Sequence, residues 1–329
     1  MIETCTVLAK NVLDMRKTGS SLGRTLYHRP LSIVLRGDLG AGKTTFVQGF
    51  AEGLGIQDHV TSPTYALEQR YGDTLSHIDL YRLNPTQASQ FFHTIDPFPG
   101  IRIIEWSDRT SEIDRDIEID ITDENDGRRI TVAFKDVPMP DENTVEQWMD
   151  EVSLPPHIRQ HARTVAKVCD MVADALVAQG RLVRKKALRT AALAHDLLRY
   201  VDFKSWKGDA VYTPTDEDVT TWAVYKEKYG TPHEAAAQKF LEEQGFTDIG
   251  TIVRTHRGHG QNIVPNTVEQ FALAYADKRA IDDTIVTLDA RFDDFIVRYG
   301  AGKESAASRE WRMAMKRMEE YLFPEGVRF

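Results

Sequence analysis

Leu31-Ser-Ile-Val-Leu-Arg-Gly37-Asp-Leu-Gly40-Ala41-Gly42-Lys43-Thr44-Thr45 decides the fold of the first part of the chain. An apolar, β-branched run leads straight into G-x-x-x-x-G-K-T, and Phe46, Val47, Phe50 and Leu54 behind it recur at helical spacing. Strand, glycine-rich loop and helix in that order are the setting a phosphate-binding loop requires. Gly37, Gly40 and Gly42 let the backbone turn tightly and aim N–H groups inward as an anion nest. Lys43 can reach the β- and γ-phosphates, the Thr44 hydroxyl can ligate Mg²⁺, and the helix that starts here points its positive end at the phosphates. The stretch therefore predicts a nucleoside triphosphate site.

Outward from this loop, residues 1–136 mix strand and helix signals, which with a P-loop implies an α/β sheet domain. The spacing of Val7, Leu8, Val12, Leu13 and Met15 predicts a helix over residues 4–28. Strands are expected near Tyr65–Tyr71, Leu75–Leu80 and Gly100–Trp106. Asp116–Ile121 and Arg129–Phe134 alternate about Asn125-Asp126-Gly127, which predicts a hairpin. Residues 137–152, within the proline-rich and acidic stretch Asp136–Pro156, read as a linker with one helical turn near Val145–Met149. Beyond it, in residues 153–329, Val165, Val168, Met171, Val172, Ala175 and Leu176 recur at helical spacing. So do Leu188, Ala191, Ala192 and Leu193, then Phe271, Leu273, Ala274 and Tyr275, and the expected fold there is all-α.

The bulk numbers bound the function classes. The chain has 329 residues, enough for two ordinary domains, with 41% hydrophobic and 28% charged residues. A net charge of −9 argues against a protein that coats nucleic acid by bulk electrostatics. No apolar run of signal-peptide or membrane-span length is evident, and Cys5 and Cys169 lie far apart, so a cytoplasmic protein with reduced thiols and no membrane association is expected.

Three further clusters sit where a P-loop enzyme needs them. Thr61-Ser62-Pro63-Thr64 offers hydroxyls on a loop that could sense the γ-phosphate and its Mg²⁺. His77-Ile-Asp79-Leu-Tyr81-Arg82 ends a predicted strand with a carboxylate, the place for a metal-facing Asp. Ile101-Arg-Ile-Ile-Glu105-Trp106 ends another strand with a Glu suited to orienting water or holding the magnesium shell. Taken in order, Gly37–Thr45, Val60–Thr64, His77–Arg82 and Glu105-Trp106 resemble the TsaE family, small bacterial ATPases needed for threonylcarbamoyladenosine modification of tRNA. The resemblance covers most of residues 1–135. It implies ATP at Gly37 and at Gly40, Ala41, Gly42, Lys43, Thr44 and Thr45, with Lys43 on the phosphates. It further implies Mg²⁺ near Thr44, with Asp79 and Glu105 close to the metal or the attacking water. Thr64 falls in the family's switch-like loop, and Trp106 lies near the nucleotide. The implied partner is the heterodimer that carries out threonylcarbamoyl transfer, so that tRNA is engaged only indirectly. Ser107, where a proline usually follows the Glu-Trp pair, and Thr86–His93, in place of an acidic helix, depart from the family pattern on its partner-facing side.

The second half holds a different chemistry. His161, the pair His195-Asp196, His233, His256 and Asp277 offer imidazole and carboxylate ligands suited to Fe, Mn, Zn or similar divalent ions. Two metals a few ångströms apart can activate a hydroxide and clamp a phosphate ester. In order and spacing the set resembles the HD-domain metal phosphohydrolases over roughly residues 153–285, the subgroup with a dinuclear centre. That resemblance implies one metal held by His161, His195, Asp196 and Asp277, and a second by His233 and His256 with Asp196 bridging. It also implies a nucleotide substrate. His259 is a rival for His256, His157 is read as no ligand, and Arg199 stands where relatives carry a lysine. The acidic stretch Glu112–Asp126 reads as a solvated hairpin face. The basic run Arg181–Arg189 reads as an exposed helix face or a nucleotide contact, and Arg309–Met318 as an amphipathic helix. The leading expectation is an α/β P-loop NTPase domain fused to an all-α HD domain. A phosphohydrolase with the P-loop domain as sensor and a helical half that only docks a partner are the alternatives.

Overall fold

Asn11 side-chain oxygen accepts from the Asp14 N–H, and this cap separates a strand from the first helix. In the computed structural model, residues 2–206, 212–258, 265–299, 303–324 and 326–327 are described. The chain falls into two units, Met1–Val137 with Leu176–Arg184, and Pro138–Ala175 with Lys185–Phe329.

The first unit runs β1 (Glu3–Ala9), α1 (Val12–Gly23), β2 (Leu31–Arg36), α2 (Lys43–Gly53), β3 (Glu68–Tyr71), β4 (Leu75–Asp79), α3 (Pro85–Thr94), β5 (Ile101–Glu105), β6 (Ile117–Glu124) and β7 (Gly127–Phe134). Its seven-stranded sheet has the order β1-β7-β6-β2-β5-β4-β3. The inner strands are parallel, β2 with β5 and β6, and β5 with β4. Ile33, Val34, Leu35, Ile103 and Ile104 are fully buried, as expected of parallel strands covered on both faces. The expected helix over 4–28 is corrected. Glu3, Cys5, Val7 and Ala9 alternate inward as β1, antiparallel to β7, while Leu8, Val12 and Leu13 are exposed. The expected hairpin forms between β6 and β7, with Glu124 opposite Gly127.

Helices α1 and α2 approach closely because Gly19 and Gly23 face Gly49 and Gly53. A Cβ at Gly49 would stand 2.0 Å from the Arg16 carbonyl oxygen, and one at Gly19 2.2 Å from that of Phe46. Gly49→Ala is therefore expected to push the helices apart and cost about 1–3 kcal/mol, as overpacked sites do. The check is a lower urea midpoint at unchanged slope; an unmoved midpoint would show that the helices part freely.

The second unit contains α4 (Glu142–Glu151), the length of α5 (Pro156–Ala178) up to Ala175, α6 (Lys185–Ala194), α7 (Asp216–Tyr229), α8 (His233–Glu243), α9 (Thr247–Val253) and α10 (Val268–Asp277). A two-residue pair, β8 (Ala280–Ile281) and β9 (Thr284–Ile285), follows, then α11 (Leu288–Tyr299) and α12 (Ala306–Leu322). Two corrections apply. The expected linker carries the ten-residue helix α4, capped by Asp141 and burying Val145, Trp148 and Met149. The all-α expectation misses the β8–β9 pair, which is too short for alternation to register. Helical spacing is otherwise obeyed: Val165, Val168, Val172, Leu188, Ala191 and Leu273 are fully buried. Among the described residues no helix is long and apolar enough to cross a membrane.

Candidate functional site

Each unit gathers one set of reactive side chains. In the first unit the set lies at the carboxyl ends of β2, β4 and β5, where open α/β sheets bind ligands. The sheet register puts Asp79 directly opposite Glu105, and Glu105 opposite Leu35, two residues before Gly37. Gly37, Gly40 and Gly42 take φ of 151°, 82° and 99°, a region where a Cβ is strained, so the loop needs glycine there. Lys43 opens α2 and is 6% exposed. Its Nζ donates to the carbonyls of Gly37 and Asp38 at 2.9 and 3.0 Å and lies 4.0 Å from Glu105 Oε2. Trp106, at φ 58°, places its ring 4.5 Å from that ammonium and 5.0 Å from the Tyr81 ring. Ala41, Thr44 and Thr45 follow the loop into the helix, the two threonines half-buried.

Asp79 is 3% exposed and fully engaged. Oδ2 accepts from Thr64 Oγ1 at 2.5 Å and Ser62 Oγ at 3.3 Å, and Oδ1 from the Tyr81 N–H at 2.9 Å. The hydroxyl loop and the strand-end carboxylate thus meet. Glu105 is equally buried, with Oε1 accepting from His77 Nε2 at 3.0 Å. Sequence reasoning quoted His77 and assigned it nothing. The available signal was its two-residue offset from Asp79, which puts both on one face of β4.

In the second unit His161 comes from α5, His195 and Asp196 follow α6, His233 opens α8, His256 follows α9 and Asp277 ends α10. They converge. His161 Nε2 is 3.0 Å from Asp277 Oδ1, and His195 Nε2 is 3.6 and 3.8 Å from Asp196 and Asp277. His233 Nε2 is 3.1 Å from both Asp196 Oδ1 and His256 Nε2. Three groups, His161/His195/Asp277, His195/Asp196/His256 and His233/Glu234/His256, each bring candidate ligand atoms within 4.8 Å of one another.

The tautomers bear on what this cluster could hold. His195 Nδ1 and His256 Nδ1 donate to the Ala192 and Val253 carbonyls at 2.7 and 2.8 Å, so each Nε2 presents a lone pair. Burial holds the His195 pKa below its ordinary value, and burial with the neighbouring His195 and His233 holds His256 well below. Burial alone would raise Asp196 and Asp277. It is outweighed, at Asp196 by His195 and His233 and at Asp277 by Lys278 and His161, and both stay well below the usual carboxylate range. Lone pairs therefore face carboxylates, and His195 Nε2 has no hydrogen-bond partner among the described residues. Acceptors facing acceptors in a buried site are reconciled by a cation. His233 differs: burial lowers its pKa, but Asp196 and Asp202 raise it to about 9. A cation at Nε2 would displace that proton.

Two acids here escaped the sequence reading. Asp202 Oδ2 accepts from His233 Nδ1 at 2.6 Å, and buried Glu234 has an Oε2 without a hydrogen-bond partner among the described residues. Arg199 Nη1 lies 3.2 Å from His233 Nδ1. His259 lies outside the described residues, and His157 sits in the first turn of α5, apart from the three ligand groups. The basic run is corrected. Arg184 is buried in the first unit, Lys185 pairs with Asp174, and Arg189 with Glu142 and Asp170.

Comparison with known proteins bears on the first unit. The family described as "Threonylcarbamoyl adenosine biosynthesis protein TsaE" matches residues 9–131. Among curated relatives named tRNA threonylcarbamoyladenosine biosynthesis protein TsaE, that of Nostoc is 44% identical over 99 residues, 28% of this chain and 60% of the relative. That of Haemophilus influenzae is 34% identical over 39% of this chain and 89% of the relative, and that of Treponema pallidum 38% identical over 38% and 98%. The crystal structure of Bacillus subtilis YdiB is 29% identical, covering 41% of this chain and 87% of that one at a TM-score of 0.32. The family match ends before the second unit begins. On the strength of relatives aligned over nearly their whole length, the chain belongs to the TsaE family, with residues 9–131 as the part that carries the membership.

Proposed function

We propose that the first unit binds and hydrolyses ATP with Mg²⁺ in support of threonylcarbamoyladenosine formation on tRNA. One observation carries the reading: Asp79 and Glu105 end adjacent parallel strands in register, and Lys43 Nζ, at the start of the helix after the glycine loop, lies 4.0 Å from Glu105. The loop N–H groups and the start of α2 would cradle the phosphates. Lys43 would exchange the Gly37 and Asp38 carbonyls for phosphate oxygens. Thr44 and Asp79 are the residues to hold Mg²⁺ or its water shell, which when bound neutralises charge on the β- and γ-phosphates. Glu105 would orient the attacking water, and Thr64, tied to Asp79, would report the state of the γ-phosphate. The expected protein partner is the bacterial threonylcarbamoyl-transfer heterodimer, with tRNA engaged through it, in the cytoplasm.

The test is nucleotide binding by Lys43→Ala. Loss of two charge-assisted contacts should weaken ATP by about a hundredfold, read by calorimetry. Unchanged affinity would remove the nucleotide assignment.

A second reading is favoured by the lone pairs that face carboxylates in the other unit. It is proposed to be an HD-type metal phosphohydrolase acting on a nucleotide. His161, His195 and Asp277 would hold one ion and His233 and His256 a second, with Asp196 shared. When bound, two Fe, Mn or similar ions supply Lewis acidity toward a phosphate ester. Asp202 would fix the His233 tautomer, and Arg199 would offer N–H groups to a phosphate.

A further inference from the structure

His77 is the largest anomaly in the sheet that the ATPase reading does not use. It lies mid-strand in β4, fully buried, in a position where an apolar residue would cost less. Its Nδ1 has no hydrogen-bond partner among the described residues. The imidazole therefore makes one directed contact, Nε2 to Glu105 Oε1 at 3.0 Å. The other Glu105 oxygen lies 4.0 Å from Lys43 Nζ. Because a carboxylate oxygen accepts, Nε2 carries the proton in this bond.

We propose that His77 is a positioning residue for Glu105. Glu105 ends β5, with its side chain between an ammonium on one side and an imidazole on the other. Lys43 is engaged by phosphate whenever nucleotide is bound under the proposed function, so its hold on the carboxylate is shared. His77 bonds Oε1, not the Oε2 that lies toward Lys43, and keeps that one Glu105 oxygen fixed throughout. The free oxygen then faces the phosphate side in one orientation, the geometry needed to orient water. Retaining a buried polar group at the cost of an orphaned Nδ1 is explained by this duty. The inference rests on the ATPase reading of the site.

The experiment uses the full-length chain with Mg²⁺-ATP. His77→Gln keeps an amide N–H where Nε2–H stood; His77→Asn is too short to reach, and His77→Phe fills the volume without a donor. Gln should hold kcat within about threefold, while Asn and Phe lower it by about 10–100-fold, the usual range for loss of a supporting contact. KM for ATP should stay within about twofold in all three, because binding rests on the P-loop. Long-range ¹H–¹⁵N spectra should show an Nε2-protonated His77 whose resonance moves in Glu105→Gln. Equal kcat in Gln and Asn, loss of KM in step with kcat, or a His77 resonance indifferent to Glu105→Gln would each overturn the proposal. A wild-type chain that does not hydrolyse Mg²⁺-ATP would instead overturn the ATPase reading, and this inference with it.

Discussion

Arg184→Ala is expected to destabilise the first unit by about 3–5 kcal/mol, the usual cost of stripping one partner from a buried ion pair. Arg184 and Asp136 are both buried. The guanidinium forks onto the carboxylate, Nε to Oδ1 at 3.2 Å and Nη2 to Oδ2 at 2.5 Å, and Nη1 donates to the Thr25 carbonyl at 2.6 Å. Its plane lies 4.3 Å from the Phe134 ring centroid. Alanine would leave a carboxylate at the end of the sheet without its cation, and a void where the stem packed. A loss of this size is a large share of an ordinary domain's stability. Hydrogen exchange should show β2, β6 and β7 losing protection together, with a lower urea midpoint. Pairing Arg184→Met with Asp136→Leu should restore most of the loss, since a packed apolar pair avoids the desolvation the ions incur. Wild-type protection in Arg184→Ala would show that the pair contributes nothing. The same result bears on where the P-loop unit ends: Leu176–Arg184, which includes the last residues of α5, clusters with residues 1–137, so a chain cut at 137 lacks the cation that Asp136 requires.

That segment marks the limit of what sequence reading reaches. The P-loop strand was legible because its β-branched run, glycines and following helix are local, and each signal implies the others. Asp79 and Glu105 were legible for the same reason, as acids closing apolar strands. β1 was not, because Val7, Leu8, Val12, Leu13 and Met15 satisfy a helical period that runs on into α1, while the two-residue alternation of Cys5, Val7 and Ala9 is short and begins with the polar Glu3. Pairing with β7, far along the chain, settles the matter by burying Glu3 and exposing Leu8. α4 carried its signal in Asp141, Val145, Trp148 and Met149, and the surrounding prolines masked it. The basic run Arg181–Arg189 looked solvated because no local feature distinguishes Arg184, whose acid is 48 positions away. In the second unit the residues that converge could be picked out, while Asp202 and Glu234 could not, since acids placed beside such a cluster follow no fixed spacing.

Asp196→Asn is the variant that should empty the proposed metal centre. Asp196 stands between the two ligand groups, 3.6 Å from His195 Nε2, 3.1 Å from His233 Nε2 and 3.7 Å from His256 Nε2. An amide in its place removes a full charge from both positions and turns one acceptor into a donor aimed at lone pairs. The wild-type chain, loaded with Mn²⁺ or Fe²⁺ and desalted, should retain two ions by elemental analysis, and the variant none. The affinity loss should exceed the about 10–100-fold that removal of an outer partner costs. Thermal unfolding gives a second readout, because an ion that binds only the folded chain adds about 4 kcal/mol at a thousandfold excess over its dissociation constant. The wild type should gain that increment on metal addition and the variant should not. Asp202→Asn separates the two positions. It removes the charge and one of the two acceptors that hold His233, without touching His161, His195 or Asp277, so one ion should stay and the other weaken by about 10–100-fold. Two ions retained in Asp196→Asn would show that the shared carboxylate is no ligand. Equal loss of both ions in Asp202→Asn would make the centre a single cooperative site, and His233 would then belong to the same ion as His161.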